Sequence, residues 1–256
     1  MEWRDEGLII GVKNYGETSV IVEAMTRAHG RHLGLVKGGR SRKRQPFLQP
    51  GNSAELVWRA RLDEHLGCYA IEPTRLRAAR LMQSSQALHA AGHVGALLRL
   101  IAERDPHPAL YDAATFIADH IEDDRLPALL VRLEVEILRE TGFGLDLSRC
   151  AATGATENLA YVSPKTGRAV SMAAGEPYRA RLLPLPPFLR NEIAGQQTSG
   201  DEARSPPADV WDGFRLTEFF LMRDVFRPRG LGLPQARSAY LAELAKRPGW
   251  RDPGVV

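Results

Sequence analysis

A change of apolar period partway along the chain predicts an α+β, multidomain protein, with a small closed β-barrel first and an α-helical domain with a small β-hairpin insertion after it. Three observations carry this. Residues 7–71 hold short β-branched or aromatic runs separated by turn signals, the chain beyond Pro73-Thr74 takes Ala- and Leu-rich helical spacing, and a basic run bracketed by Gly and Pro interrupts the strands. The expected divisions are 1–73 for the barrel, 74–247 for the helical domain with its hairpin near 146–172, a mobile loop at 194–208 and a tail at 248–256.

The strands are read at Leu8–Val12, Thr18–Val22, His32–Val36, Ala54–Trp58 and Gly67–Ile71, with turns at Asn14-Tyr15-Gly16-Glu17 and Arg27-Ala28-His29-Gly30. Five short strands in about 70 residues suit a small closed barrel. An SH3-like barrel has a similar signature, and the oligonucleotide/oligosaccharide-binding (OB) barrel is preferred. Between the third and fourth strands, five of the eight residues from Lys37 to Arg44 are basic, and no Asp or Glu occurs from Ala24 to Ala54. Gly38-Gly39 opens this stretch and Pro46 and Pro50 bracket its exit, so it reads as a flexible basic arm facing water or a polyanion.

Charge supports the second possibility. Residues 1–80 hold fourteen Lys or Arg against nine Asp or Glu, whereas the remainder holds 20 against 22. A basic module joined to a near-neutral one follows. Glu2, Asp5 and Glu6 without a following apolar run read as no secretory signal, no stretch approaches the ~20 apolar residues of a membrane span, and Cys68 and Cys150 make no disulfide framework. A reducing cytoplasm is expected.

Helices are expected over Arg75–Glu103 and Pro108–Ile121, the latter with Leu110, Ala113, Ile117 and Ile121 on one face. A third starts after Asp124 with Pro127 in its first turn, and carries Leu126, Leu130, Leu133 and Ile137 beside a second stripe of Leu129 and Val131. Two stripes make it central. Leu159–Val170 reads as a hairpin turning at Pro164–Gly167, too small to stand alone. Helical spacing returns at Trp211, Phe214, Leu221 and Val225, stops at Arg227–Gly230, and resumes weakly from Pro234 to Lys246.

No catalytic centre is proposed. Walker A and dinucleotide fingerprints are absent. His89 with His93, and His29 with His32, lack a third ligand nearby and read as packed or exposed histidines; the cysteines lack a local His and read as inert thiols. Around the basic arm only Phe47 and Trp58 offer rings for base stacking, and each is assigned to barrel packing. Nucleic acid is therefore expected to be held chiefly by its phosphates, without sequence preference, as single or double strands.

The chain resembles the RecO family of bacterial recombination mediators along nearly its whole length. The carrying residues are Asp5-Glu6-Gly7-Leu8-Ile9-Ile10-Gly11, Tyr15-Gly16-Glu17, His29-Gly30, Val36-Lys37-Gly38-Gly39-Arg40, Leu48-Gln49-Pro50-Gly51 and Ser163-Pro164-Lys165-Thr166-Gly167. The resemblance implies an OB domain, a helical domain, no cofactor, and a non-enzymatic role with RecF and RecR in loading RecA onto DNA coated with single-stranded DNA-binding protein, together with strand annealing. Many members carry a structural zinc site of two C-x-x-C pairs around the hairpin. Here Cys150 survives, Thr153 stands where its partner falls, and Ser171 and Ala174 occupy the approximate positions of the second pair, so packing by Leu159, Tyr161 and Val170 is expected in place of metal.

DNA is thus expected at Lys37, Arg40, Arg42, Lys43 and Arg44, assisted by Arg27 and Arg31. The tail of the single-stranded DNA-binding protein is assigned, on the resemblance, to Arg215, Phe219, Arg223 and Arg227. An RNA-binding OB protein of the translation machinery is the rival reading, and a hydrolase using Cys150 or His89 a more distant one.

Overall fold

The computed structural model describes residues 1–190 and 205–250. The described residues form two compact units, one from 1–122 with 234–240 and the other from those within 123–233 and 241–250. The first contains the barrel. Strands β1 (Glu2–Tyr15), β2 (Ser19–Thr26), β3 (Gly30–Val36), β4 (Ser53–Arg59) and β5 (Cys68–Arg75) close in the order β1-β2-β3-β5-β4, with β1 also pairing β4. All pairs are antiparallel except β3 with β5, whose single register point is Leu35 with Cys68. This is the OB arrangement.

β1 is six residues longer at its start than the apolar pattern indicated, because Glu2–Leu8 pairs along the whole of β4 although Glu2, Arg4 and Glu6 carry exposed charges. Its middle differs. Gly7, Leu8, Ile9 and Ile10 are all buried in succession, since one face of the strand meets the barrel core and the other is covered by helices α2 (Ser85–Leu98) and α3 (Pro108–Asp119). The barrel interior is built from Ile9, Val22, Ala24, Leu56, Trp58 and Tyr69. Trp58 is fully enclosed, and its indole N–H donates to the Leu66 carbonyl at 3.0 Å, so it packs as expected and is withheld from any ligand.

The division expected at 73/74 lies inside the first unit. The reason is the apolar outer face of β1, which draws α2 and α3 into the same compact body. The single helix expected over Arg75–Glu103 is also two: α1 (Ala78–Leu81), then α2, whose N-cap Ser84 accepts from the Ala87 N–H. On α3 the enclosed residues are Leu110, Tyr111, Ala114, Ile117 and Ala118, so Ala114 rather than Ala113 faces inward.

His29 and His32 belong to the barrel's aromatic end, not to a metal site. Trp3 stacks on His29 at 4.1 Å and meets His32 edge-on at 5.0 Å; burial pushes the His32 imidazole down to about 4, keeping it neutral. The β2–β3 turn ends at Gly30, with φ of +65°, and a Cβ there would overlap the Asp105 carbonyl. Gly30→Ala combines backbone strain with a clash against main chain, which cannot swing aside. Thermal unfolding should show a loss of roughly 2–4 kcal/mol; an unchanged midpoint would contradict this packing.

In the second unit, α4 (Leu126–Glu140) buries both of its predicted stripes except Leu129, and packs on α6 (Pro207–Phe220). Gly213 permits the approach, because a Cβ there would press on Val131 and Phe188. Buried Thr217 donates to buried Glu134 between the same helices. The hairpin is β6 (Leu159–Val162) and β7 (Ala169–Ser171), and β8 (Leu183–Pro184) adds a third strand, giving the order β7-β6-β8. After β7 come α5 (Met172–Gly175) and, at 235–245, α7. Of the loop expected at 194–208, residues 194–204 lie outside the described residues, while Pro207 already opens α6. Residues 251–256 of the expected tail also lie outside them. Trp250 is buried, accepting at its carbonyl from Trp211 Nε1, so the tail does not begin at 248. Among the described residues no helix is long and apolar enough to cross a membrane.

Candidate nucleic-acid interface

The basic run between β3 and β4 is not a flexible arm. It is a ladder of successive turns: Ser41 N–H donates to Gly38 O, Arg44 and Gln45 N–H to Ser41 O, and Phe47 and Leu48 N–H to Arg44 O, at 3.0–3.2 Å. Two anchors hold it. Leu48 is buried in the barrel core, and fully buried Asn52 donates from Nδ2 to the Pro46 and Phe47 carbonyls at 3.0 and 3.1 Å. The same side chain's Oδ1 accepts from the Arg77 and Ala78 N–H groups at 2.7 and 2.9 Å, so one residue ties the ladder to the start of α1.

Below Asn52 the junction is closed by Arg77. Its buried guanidinium donates to Gly51 O, Ser53 Oγ and Asp119 Oδ1 at 3.1, 2.8 and 2.7 Å, and Arg75 also pairs with Asp119. Partial burial works against the Asp119 carboxylate, yet the two guanidinium groups outweigh it and hold its pKa below the ordinary range.

On this framework Lys37, Arg40, Arg42, Lys43 and Arg44 are all exposed, and none pairs with a carboxylate among the described residues. Arg40 Nη1 donates to Gly16 O at 3.0 Å and Arg44 Nη1 to Lys37 O at 2.8 Å, which positions both groups and leaves most of each guanidinium's five donors free. The Arg40 N–H bonds Thr18 O as well, so the ladder is stitched to the β1–β2 turn. Lys13, exposed near the end of β1, adds a cation at that same end of the strand.

Arg27 and Arg31 are not brought to this cluster. Arg27 sits beyond the far end of β2 in a two-bonded pair with Asp112 at 2.9 and 3.0 Å, which raises its pKa and lowers that of Asp112. Arg31 is largely enclosed, donating to Glu23 at 2.8 Å and to the Ile101 carbonyl at 3.1 Å. Both guanidinium groups are committed to the first unit's own structure.

In the second unit, Phe219 and Arg223 do meet, with the guanidinium 5.6 Å from that ring and 4.8 Å from Phe220. Arg223 is engaged, however, by Asp224 at 2.6 and 2.7 Å and by the Pro164 carbonyl. Arg215 pairs with Asp212 at 3.0 Å, and Arg227 is exposed. The helix is π-helical over Leu221–Phe226, so the four-residue spacing that grouped these residues in the sequence does not continue through Arg227.

The hairpin region does not fit zinc. A tetrahedral site needs four ligands, and among the described residues no three His, Cys, Asp or Glu side chains converge. Cys150 is instead a buried hydrogen-bond acceptor: its Sγ takes the Ser171 N–H at 3.2 Å, and Thr153 also bonds to it. Burial works to raise the thiol's pKa, but these bonds outweigh that and bring it down to about 6. The depressed value means the thiolate stabilises the fold above the ordinary thiol range and loses that contribution as pH falls through about 6. Chelation should therefore leave the melting temperature unchanged, whereas Cys150→Ala, which strands a buried N–H, should cost about 1–3 kcal/mol at pH 8 and less near pH 6. Elemental analysis finding about one zinc per chain would overturn this account. Leu159 and Val170 are buried as expected, while Tyr161 is half-buried and donates to Glu176 at 2.8 Å.

A closed OB barrel with an exposed, carboxylate-free cationic ladder, followed by a helical unit carrying a small sheet, defines the class of two-unit OB proteins. The family model described as "Recombination protein O N terminal" matches residues 1–76, and that described as "Recombination protein O C terminal" matches residues 82–231. A protein of Methylocella silvestris named DNA repair protein RecO is 73% identical over 247 residues, covering 96% of this chain and 97% of that protein. Proteins of the same name from Methylorubrum extorquens and Mesorhizobium japonicum are 56% and 55% identical, covering 94% and 96% of this chain and 98% and 94% of their own lengths. The chain belongs to the RecO family, and its place is in DNA repair and recombination.

Proposed function

We propose that this chain is a cytoplasmic, non-enzymatic recombination mediator that binds single- and double-stranded DNA on the ladder between β3 and β4, anneals complementary strands, and acts with RecR and RecF to load RecA. The observation that carries the reading is the set of five exposed cations, without carboxylate partners among the described residues, on a backbone anchored at Leu48 and Asn52. Anchoring matters because an ordered cationic surface meets phosphates without first losing loop entropy. Neutralising two backbones at once removes the repulsion that opposes their approach, so annealing needs no covalent step and no nucleotide. RecR, RecF and the tail of the single-stranded DNA-binding protein are partners the family implies; for that tail, exposed Phe219 with Arg227 is the part of the expected patch not engaged by carboxylates among the described residues.

The test is strand annealing without ATP. Complementary oligonucleotides should anneal faster with the protein than without it, and the acceleration should fade as salt rises. No acceleration at low salt would overturn the proposal.

A further inference from the structure

Beside the cations, a half-open hollow of about 250 Å³ lies between the ladder and the β1–β2 hairpin. Its lining divides into two kinds. Val12, Val20, Leu48 and Pro50 are apolar, while Asn14, Gln45 and Gln49 carry amides, and Arg40 supplies one cation. Small-molecule sites begin at roughly 300 Å³, so the space suits one flat ring system rather than a whole nucleotide. The amides are suitably placed in valence. Gln45 and Gln49 each commit one N–H, to the Arg40 and Gln45 carbonyls at 3.2 and 2.9 Å, and each retains a second N–H and a carbonyl oxygen. Asn14 is exposed on β1. A mixture of donors and acceptors beside apolar side chains matches the edge and face of a nucleobase; an anion would be desolvated by the same apolar side chains with one guanidinium in return.

We infer that this hollow holds one unstacked nucleobase of a single strand whose phosphates lie on the ladder. This rests on the DNA-binding reading above and deepens it. The arrangement gives the surface a means of telling strand states apart. Both single and double strands offer phosphates to Lys37, Arg42, Lys43 and Arg44, but only a single strand presents a base without first breaking a pair. Arg40 joins the two parts, since it lies on the ladder and also lines the hollow. The amides offer donors and acceptors to any base edge, so the preference is for an available base and not for a sequence.

The test compares oligo-dT with an abasic oligonucleotide of equal length, which has the same phosphates and no bases, by fluorescence anisotropy with the full chain. The wild-type protein should bind oligo-dT about tenfold more tightly. Asn14→Leu removes an amide from the lining of the hollow without altering any charge, and should bring the ratio near one by weakening oligo-dT alone; Gln49→Leu is the second variant, and carries the test if the first unfolds. A wild-type ratio of one, or a preference kept in both folded variants, would overturn the base site while leaving phosphate binding in place. If the wild-type protein bound neither oligonucleotide at low salt, the DNA-binding reading itself would fall, and this inference with it.

Discussion

Replacing Arg42, Lys43 and Arg44 together with Ala should weaken single-stranded DNA binding about a hundredfold at roughly 0.1 M salt while leaving the protein folded. The magnitude follows from counterion release. Each phosphate contact contributes ~0.7 to the slope of log affinity against log salt for single strands, so losing three lowers the slope by about two units. The structural cost is small. Arg42 and Lys43 are exposed on the ladder, and each should change stability by no more than roughly 0.5 kcal/mol. Arg44 is different, because its side chain bonds the Lys37 carbonyl; its loss should add about 1 kcal/mol. The loss of affinity should be alike for unrelated sequences, and annealing should fall with it. A folded triple variant with an unchanged salt slope would show that these groups do not meet the DNA backbone.

What the sequence disclosed and what it concealed divide along physical lines. Alternating β-branched runs and Gly turns are local signals, and they located all five strands of the barrel, though not the polar first half of β1. That half is a strand through its pairing with β4, and nothing in Glu2-Trp3-Arg4-Asp5-Glu6 announces a partner some 50 residues away. The five ladder cations were legible for the same local reason, since a basic run without an acidic residue has nowhere to go but the surface. That Arg27 and Arg31 lie apart from the ladder was not legible, because their partners, Asp112, Glu23 and the Ile101 carbonyl, are distant or opposite in the fold. Glycine and proline made the ladder look loose. Its order comes from Asn52 and Leu48, which lie outside the basic run and look ordinary in sequence.

Asn52→Ala should be among the most destabilising single substitutions in the first unit, and should impair DNA binding without removing a charge. Asn52 is fully buried, and its amide makes four hydrogen bonds, two donated to the Pro46 and Phe47 carbonyls and two accepted from the Arg77 and Ala78 N–H groups. Alanine leaves two buried N–H groups, of Arg77 and Ala78, and two part-buried carbonyls without that partner. Even with partial rescue by water, the cost should be about 3–5 kcal/mol in chemical denaturation. The functional effect has a distinct signature. With its clamp gone, the ladder must be ordered at the moment of binding, so affinity should fall several-fold through the added entropy cost. The cations remain, however, and the salt slope should stay near the wild-type value. Amide exchange at Arg44, Gln45, Phe47 and Leu48 should quicken at the same time, because their hydrogen bonds belong to the turns that Asn52 secures. The two variants therefore separate charge from order: the triple substitution lowers the slope with little change in exchange outside the ladder, and Asn52→Ala raises exchange with little change in slope. A stable Asn52→Ala protein with wild-type exchange at those four amides would show that Leu48 alone holds the ladder in place.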